Sequence, residues 1–87
     1  MAELNEAVKY LFDRNEYFQN GVLIRIQWHS GMVQWFDENG NLHNLNGPAF
    51  IALSGSQKYY YIHGVNYSEE EFKFQSFMHK AITQQNG

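Results

Sequence analysis

Four histidines, His29, His43, His63 and His79, and the adjacent acids Asp37 and Glu38 are the residues of this chain whose types could do chemistry. The chain has no cysteine, so a zinc site would need three or four imidazoles to converge from separate elements. None of them is spaced as a ligand pair such as H-x-x-x-H, and the reading is therefore of surface or turn histidines, with no metal. His43 stands apart because it sits just before a turn whose backbone it could hydrogen-bond. Asp37 and Glu38 could be imagined as a general acid and base, but beside a hairpin turn carboxylates are expected to be solvated and to titrate normally. "ALSGSQ", residues 52–57, is a glycine turn flanked by serines rather than a G-x-S-x-G elbow. No glycine-rich loop leads into a predicted helix, so no phosphate cradle is present. The expectation is a protein that is not an enzyme and takes no cofactor.

Something must nevertheless hold a chain of 87 residues together without disulfides, and the composition points to aromatic packing: seven Phe, six Tyr and two Trp. Each such side chain encloses on the order of 150–250 Å² when buried. The net charge of -3 is mild. It offers neither the basic footprint of a nucleic-acid binder nor the dense negative surface of a nucleic-acid mimic. The start, "MAELNEAVKY", lacks the basic and apolar regions of a leader, and no run approaches 18 apolar residues. The chain reads as soluble and cytoplasmic, with no membrane partner.

The elements follow from periodicity. Leu4, Ala7, Val8, Leu11 and Phe12 recur at helical spacing and predict a helix over residues 3–13. "RNEYFQNG" breaks that pattern. Strands are then predicted from Leu23 to about His29, over "MVQWF", over "AFIAL", over "QKYYYI" and over "VNY", with "NLHNL" a short extended piece between Asn39-Gly40 and Asn46-Gly47-Pro48. Ser68 with Glu71 forms a capping box, and Tyr67 with Phe72 has the spacing of a hydrophobic staple. Phe74, Phe77, Met78, Ala81 and Ile82 carry an apolar stripe onward, so a second helix is predicted over 69–83 with a tail at 84–87. The whole is one α+β domain, residues 1–87: an antiparallel β-meander of about four to six short strands over residues 22–67, flanked by an N-terminal and a C-terminal α-helix.

A shift of 24 residues places Ser30 on Ser54, Gly31 on Gly55 and Gly40 on Gly64, with Trp35 on Tyr59 and Phe36 on Tyr60. The meander is thus a repeated unit of strand, glycine turn, aromatic strand and glycine turn. Residues Trp35 to Phe72 also resemble short phage and bacterial proteins built on the repeat W-x-x-x-N-G-x-x-H-R-x-D-G-P-A, loosely akin to MORN-type repeats. The matching positions are Trp35, Asn39, Gly40, His43, Gly47, Pro48 and Ala49. Asn44 and Asn46 replace the pattern's Arg and Asp, which removes an ion pair from the turn. The second copy keeps Tyr59 and Gly64 and has Tyr67 at the His position. The resemblance implies a small, phage-encoded meander protein that acts by binding host machinery.

Surplus aromatics and the lack of a catalytic constellation point the same way, to a protein-binding module acting as an accessory or inhibitor on a host complex such as a defence system. The partner would be a host or phage protein. The alternatives are a nucleic-acid-associated regulator, disfavoured because only Arg25 and Lys58 lie near the aromatics, and a structural homo-oligomer or virion component. The repeat puts Trp35 and Tyr59 on one sheet face and Phe36 and Tyr60 on the other. The expected contact surface centres on Tyr60, with Lys58 beside it and His43 at the nearby turn, while Trp35, Tyr59 and Tyr61 complete the candidate set. A phenol that keeps its hydroxyl wet is the reason for placing Tyr60 outside.

Overall fold

The computed structural model describes residues 5–52, 55 and 57–85. Seven antiparallel strands follow one another in space in the same order as in the chain: β1 (Glu6–Tyr10), β2 (Arg14–Gln19), β3 (Val22–Trp28), β4 (Val33–Trp35), β5 (Phe50–Ile51), β6 (Lys58–Ile62) and β7 (Val65–Tyr67). One helix, α1 (Glu69–Gln85), completes the chain. The meander and the α+β class are as the sequence predicts. The strand count is higher than four to six, and the predicted N-terminal helix is a correction: residues 6–10 form a strand, and residues 3 and 4 lie outside the described residues.

The reason is a turn. Asn20 and Gly21 both have positive φ, 52° and 81°, and join Gln19 to Val22 as a two-residue type I′ hairpin. That turn needs a strand on each side, so "RNEYFQ" becomes β2 instead of a break. β2 then offers a free edge on which Glu6–Tyr10 pairs, Val8 opposite Tyr17. The spacing of Ala7, Val8 and Leu11 fits a helix, but Val8 and Tyr10 also alternate with Ala7 and Lys9 as a strand requires. The tertiary pairing decides between them.

The run Asn39–Phe50 does not reverse the chain twice. Asp37 and Asn41 close a three-residue loop, with the Gly40 amide donating to the Asp37 carbonyl at 3.1 Å and Gly40 at φ 85°. Leu42 and His43 then lie along β4, where Leu42 bridges Phe36 and the His43 amide donates to the Trp35 carbonyl. Ala49 takes up the same line, its carbonyl accepting from the Trp35 amide. The stretch is one strand with residues 44–48 looped out of it. Asn44 ties the excursion shut, its Nδ2 donating to the Pro48 carbonyl at 3.1 Å and its Oδ1 accepting from the Asn46 amide at 2.9 Å. A side-chain amide thus closes the turn.

The 24-residue repeat is present in the turns but slips in the strand between them. Gly31 and Gly55 each donate to the carbonyl three residues back, Trp28 and Ala52, and both have positive φ; Ser54 lies outside the described residues. Past that point the first loop closes from Trp28 to Met32, and the second from Ala52 to Gln57, one residue later. The His63-Gly64 turn recovers the difference as a two-residue type I′ hairpin, φ 47° and 84°, against the three-residue loop at 38–40. Gln34, not Trp35, therefore faces Tyr59 through Phe50. A one-residue slip exchanges the faces of a strand, so Trp35 shares its side with Tyr60, correcting the pairing the repeat predicts.

The sheet is a single layer, 41 × 39 × 16 Å overall. Its radius of gyration is 14.0 Å, against about 12 Å for a compact domain of this length. Among the described elements α1 packs on β6 and β7 alone. Its start is capped by Ser68, whose Oγ accepts from the Glu71 amide at 3.2 Å. It runs to Gln85 and so takes in two residues predicted as tail. Phe72 and Ser76 turn inward and, with Ile62 and Ala49, are the buried centre. Among the described residues no large side chain is wholly enclosed, and β1 to β5 have no helix over either face. The apolar stripe of α1 does not face the sheet: Phe74, Phe77, Met78 and Ile82 are all exposed.

Candidate functional site

Two arrangements gather side chains capable of recognition or chemistry. The first lies where the 37–41 loop, the interrupted strand, the β6–β7 turn and α1 meet. Asp37 is 6% exposed. Its Oδ1 accepts from the Asn39 and Asn41 amides at 2.9 Å each, and its Oδ2 pairs with His63 Nδ1 at 2.8 Å. Burial would push this carboxyl up, but the hydrogen bonds from His63 and from Asn41 and Asn39 outweigh it and bring it down to about 2. The expectation of an ordinary, solvated Asp37 is corrected: an Asx-type loop captures its own carboxylate. The signal was in the sequence, since an Asp two or three residues ahead of Asn-Gly is placed to accept from the loop's amides.

His43 stacks on His63, ring centroids 4.0 Å apart, and its Nδ1 accepts from the His63 backbone amide at 2.9 Å. It does bond a turn's backbone, at His63-Gly64 rather than at the turn that follows it in sequence. This bond requires a lone pair on Nδ1, so the ring is neutral with its proton on Nε2. Burial, and then the charge of His63, lower His43 below its ordinary value. The His79 ring lies 6.1 Å from that of His63. Asp37 and His43 thus accept from amides of the loop and the turn, while Asp37 and His63 pair through their side chains. That is the work of a fastening. Among the described residues no group of three or more His, Cys, Asp or Glu is placed to hold a metal ion. His29 stands apart from the other three, its Nε2 3.2 Å from Asn15 Oδ1.

The second arrangement is on the sheet face away from α1. Lys9, Glu16, Ile26, Gln34, Phe50 and Tyr59 face one another in register across six strands. Trp28 joins this face, its Nε1 donating to Gln34 Oε1 at 3.0 Å. Tyr61, two residues beyond Tyr59, stands on the same side. Phe50 and Tyr59 meet edge to face, centroids 5.6 Å apart, and with Ala52, Gln57 and Tyr61 they line a shallow open cleft of ≈ 400 Å³. Tyr59 is 40% exposed.

The remaining candidates are on the helix side. Tyr60 lies against Phe72, centroids 4.8 Å apart, and its hydroxyl donates to Glu69 Oε2 at 3.2 Å. Burial and then this carboxylate raise its pKa. It is half-buried, so the expected sides of the sheet are exchanged. Lys58 lies on the same side and lines a polar cleft with Tyr60, Tyr67 and Glu69. Trp35 packs on Arg25, whose guanidinium sits 4.9 Å from the Trp35 ring centre and 3.9 Å from that of Tyr17. The structure therefore brings Tyr59 and Tyr61 together on one face and places Tyr60, Lys58 and Trp35 on the other, with Tyr59 also reaching the polar cleft beside Lys58. Phe50, absent from the predicted set, belongs with the first pair.

In comparison with known proteins, the chain matches no family model, no curated protein and no solved structure. No helix of the described residues is long and apolar enough to cross a membrane.

Proposed function

We propose that this chain is a non-enzymatic protein-binding module whose contact surface is the uncovered sheet face around Tyr59, Tyr61 and Phe50. The observation that carries the reading is the side on which these rings stand: α1 covers the Tyr60 side, and no described element lies over the other. Tyr is a favoured anchor at protein interfaces because a rigid ring supplies contact area while its hydroxyl tolerates water. A cleft lined by three aromatic rings suits an apolar side chain of a partner. The resemblance to short phage and bacterial repeat proteins directs the search to host or phage proteins, with a small accessory or inhibitor role. A nucleic-acid role is less well supported, because Arg25 and Lys58 lie on the opposite side of the sheet from Tyr59 and Tyr61, and on the Tyr59 side Arg14 is paired with Asp13 and Glu16 and Lys9 stands opposite Glu16, which leaves little phosphate attraction beside the rings.

The test places a photo-crosslinking residue at position 57 and exposes the protein to a bacterial lysate. The reading expects one protein captured in stoichiometric yield, with capture lost in Tyr59→Ala and Tyr61→Ala proteins that remain folded. Capture unaffected by both substitutions, or recovery of nucleic acid at physiological salt in place of protein, would overturn it.

A further inference from the structure

The outward stripe of α1 is a second surface, distinct from the open sheet face. Phe74, Phe77, Met78, Ala81 and Ile82 fall at i, i+3, i+4, i+7 and i+8, the spacing of a helix face that packs. They turn away from the sheet, because Phe72 and Ser76 occupy the side that meets β6 and β7. Phe74 is 59% exposed, Phe77 67%, Met78 40% and Ile82 54%. We infer that this stripe is a self-association surface, covered by the same stripe of a second copy with the two helices antiparallel.

Three features single out a second copy as the occupant. Area comes first: at these exposures the four large side chains leave bare roughly 500 Å² of apolar surface, over half of the about 800 Å² that each partner gives to a stable interface. A stripe meeting its own copy about a two-fold axis satisfies both exposed faces in one step and closes the assembly at a dimer. Position is the second feature: the stripe is on the far side of α1 from the sheet, so two molecules meet helix to helix without either sheet intervening. Charge sets the direction. Glu69, Glu70 and Glu71 crowd the first turn, and Lys80 lies in the last third of the helix. A parallel pair would set six carboxylates side by side. An antiparallel pair with its axis at Met78 sets each Phe74 level with the other copy's Ile82 and carries the two acidic first turns to opposite ends of the contact. It also opposes the two helix dipoles favourably.

Sedimentation equilibrium of the whole chain tests the association. From about 5 to 500 µM, the range a contact at the low end of interface sizes calls for, the average mass should rise from 10.3 kDa toward twice that value. Phe77→Glu should hold it at the monomer value, with circular dichroism showing the helix retained, as the exposure of the side chain leads one to expect. Direction is tested separately, since the chain has no cysteine of its own. Phe74→Cys and Ile82→Cys proteins mixed and oxidised should form the mixed disulfide in preference to either homodimer. A mass that stays at the monomer value over the whole range, or a rise that Phe77→Glu leaves intact, overturns the surface. Homodimeric disulfides in place of the mixed one overturn the antiparallel arrangement. Neither result bears on capture through Tyr59 and Tyr61, which is read on the other face.

Discussion

The amide of His63 donates to Nδ1 of His43 while the two imidazoles lie stacked, centroids 4.0 Å apart. One residue therefore holds the other twice, through its ring and through its backbone, and only while His43 is neutral. Asp37 completes the arrangement by taking His63 Nδ1 on its other side.

Acid should undo this junction in two stages. His43 is held below 6.5 by burial and by His63, opposed by Asp37 and reinforced by His79. Below pH 6.5 the unfolded chain then takes up a proton that the folded chain resists, so stability falls as pH drops through that window. Asp37 stands at about 2 against 3.8 unperturbed. Its contribution, about 2 kcal/mol, is fully present above pH 3.8 and is lost as pH falls toward 2. Urea midpoints at pH 7.5, 5.5, 3.5 and 2 should fall in two steps. Asp37→Asn should abolish the lower step and leave the upper one.

The two type I′ turns should differ in their tolerance of a side chain. Gly21 and Gly64 both have left-handed backbones, and a Cβ there costs about 1–2 kcal/mol. At position 21 the added methyl meets nothing within 4 Å, whereas at position 64 it stands 3.4 Å from the Asn41 Cβ. Gly64→Ala should therefore lose more stability than Gly21→Ala in denaturant titrations. Equal losses would mean that the Asn41 contact is relieved without cost.

Tyr60→Ala should destabilise the domain by about 2 kcal/mol, since it removes the ring packed on Phe72 and the partner of Glu69. Tyr59→Ala, at an exposed ring, should leave the unfolding midpoint nearly unchanged while removing capture of a partner. The opposite pattern, with Tyr60 dispensable for folding and Tyr59 essential, would show that the repeat predicted the two sides correctly.

Arg25 is clamped between Tyr17 and Trp35. Replacing it with Gln should cost about 1–2 kcal/mol, and Lys should recover only part of that, because a point charge lacks the planar stacking of guanidinium. Stability of the three proteins in denaturant, with Trp near-ultraviolet circular dichroism as a local probe, measures the effect.

The C-terminal helix, its Ser68 cap and most strands were legible in the sequence because each is a local matter of spacing and turn chemistry. The face that α1 presents to the sheet was not. Periodicity reveals that Phe74, Phe77 and Met78 share a side; it says nothing about what lies against that side. The N-terminal misreading has a different cause. Asn20-Gly21 is the strongest hairpin signal in this half of the chain, but the residues before it satisfy helical spacing and strand alternation alike, and only the pairing with β2 separates the two. Tyr59 and Tyr60 exchanged faces because a matching glycine register concealed an insertion and a deletion of one residue each. Asp37 and His63 meet from 26 positions apart, a distance that no local pattern spans.

Each strand here pairs with the strands next to it in the chain and with no others. The chain can consequently assemble by zippering, each strand joining its neighbour in sequence, and its contact order is low for an all-antiparallel sheet. Loss should be just as directional. Among the described residues β1 pairs with β2 alone and has all five residues exposed, so amide exchange should be fastest there and slow progressively toward β6, where Ile62 is buried. Because each interface is a nearest-neighbour term, a hairpin can be lost from, or added to, the β1 end without rewriting the rest, and the number of strands becomes a quantity that evolution can change one turn at a time.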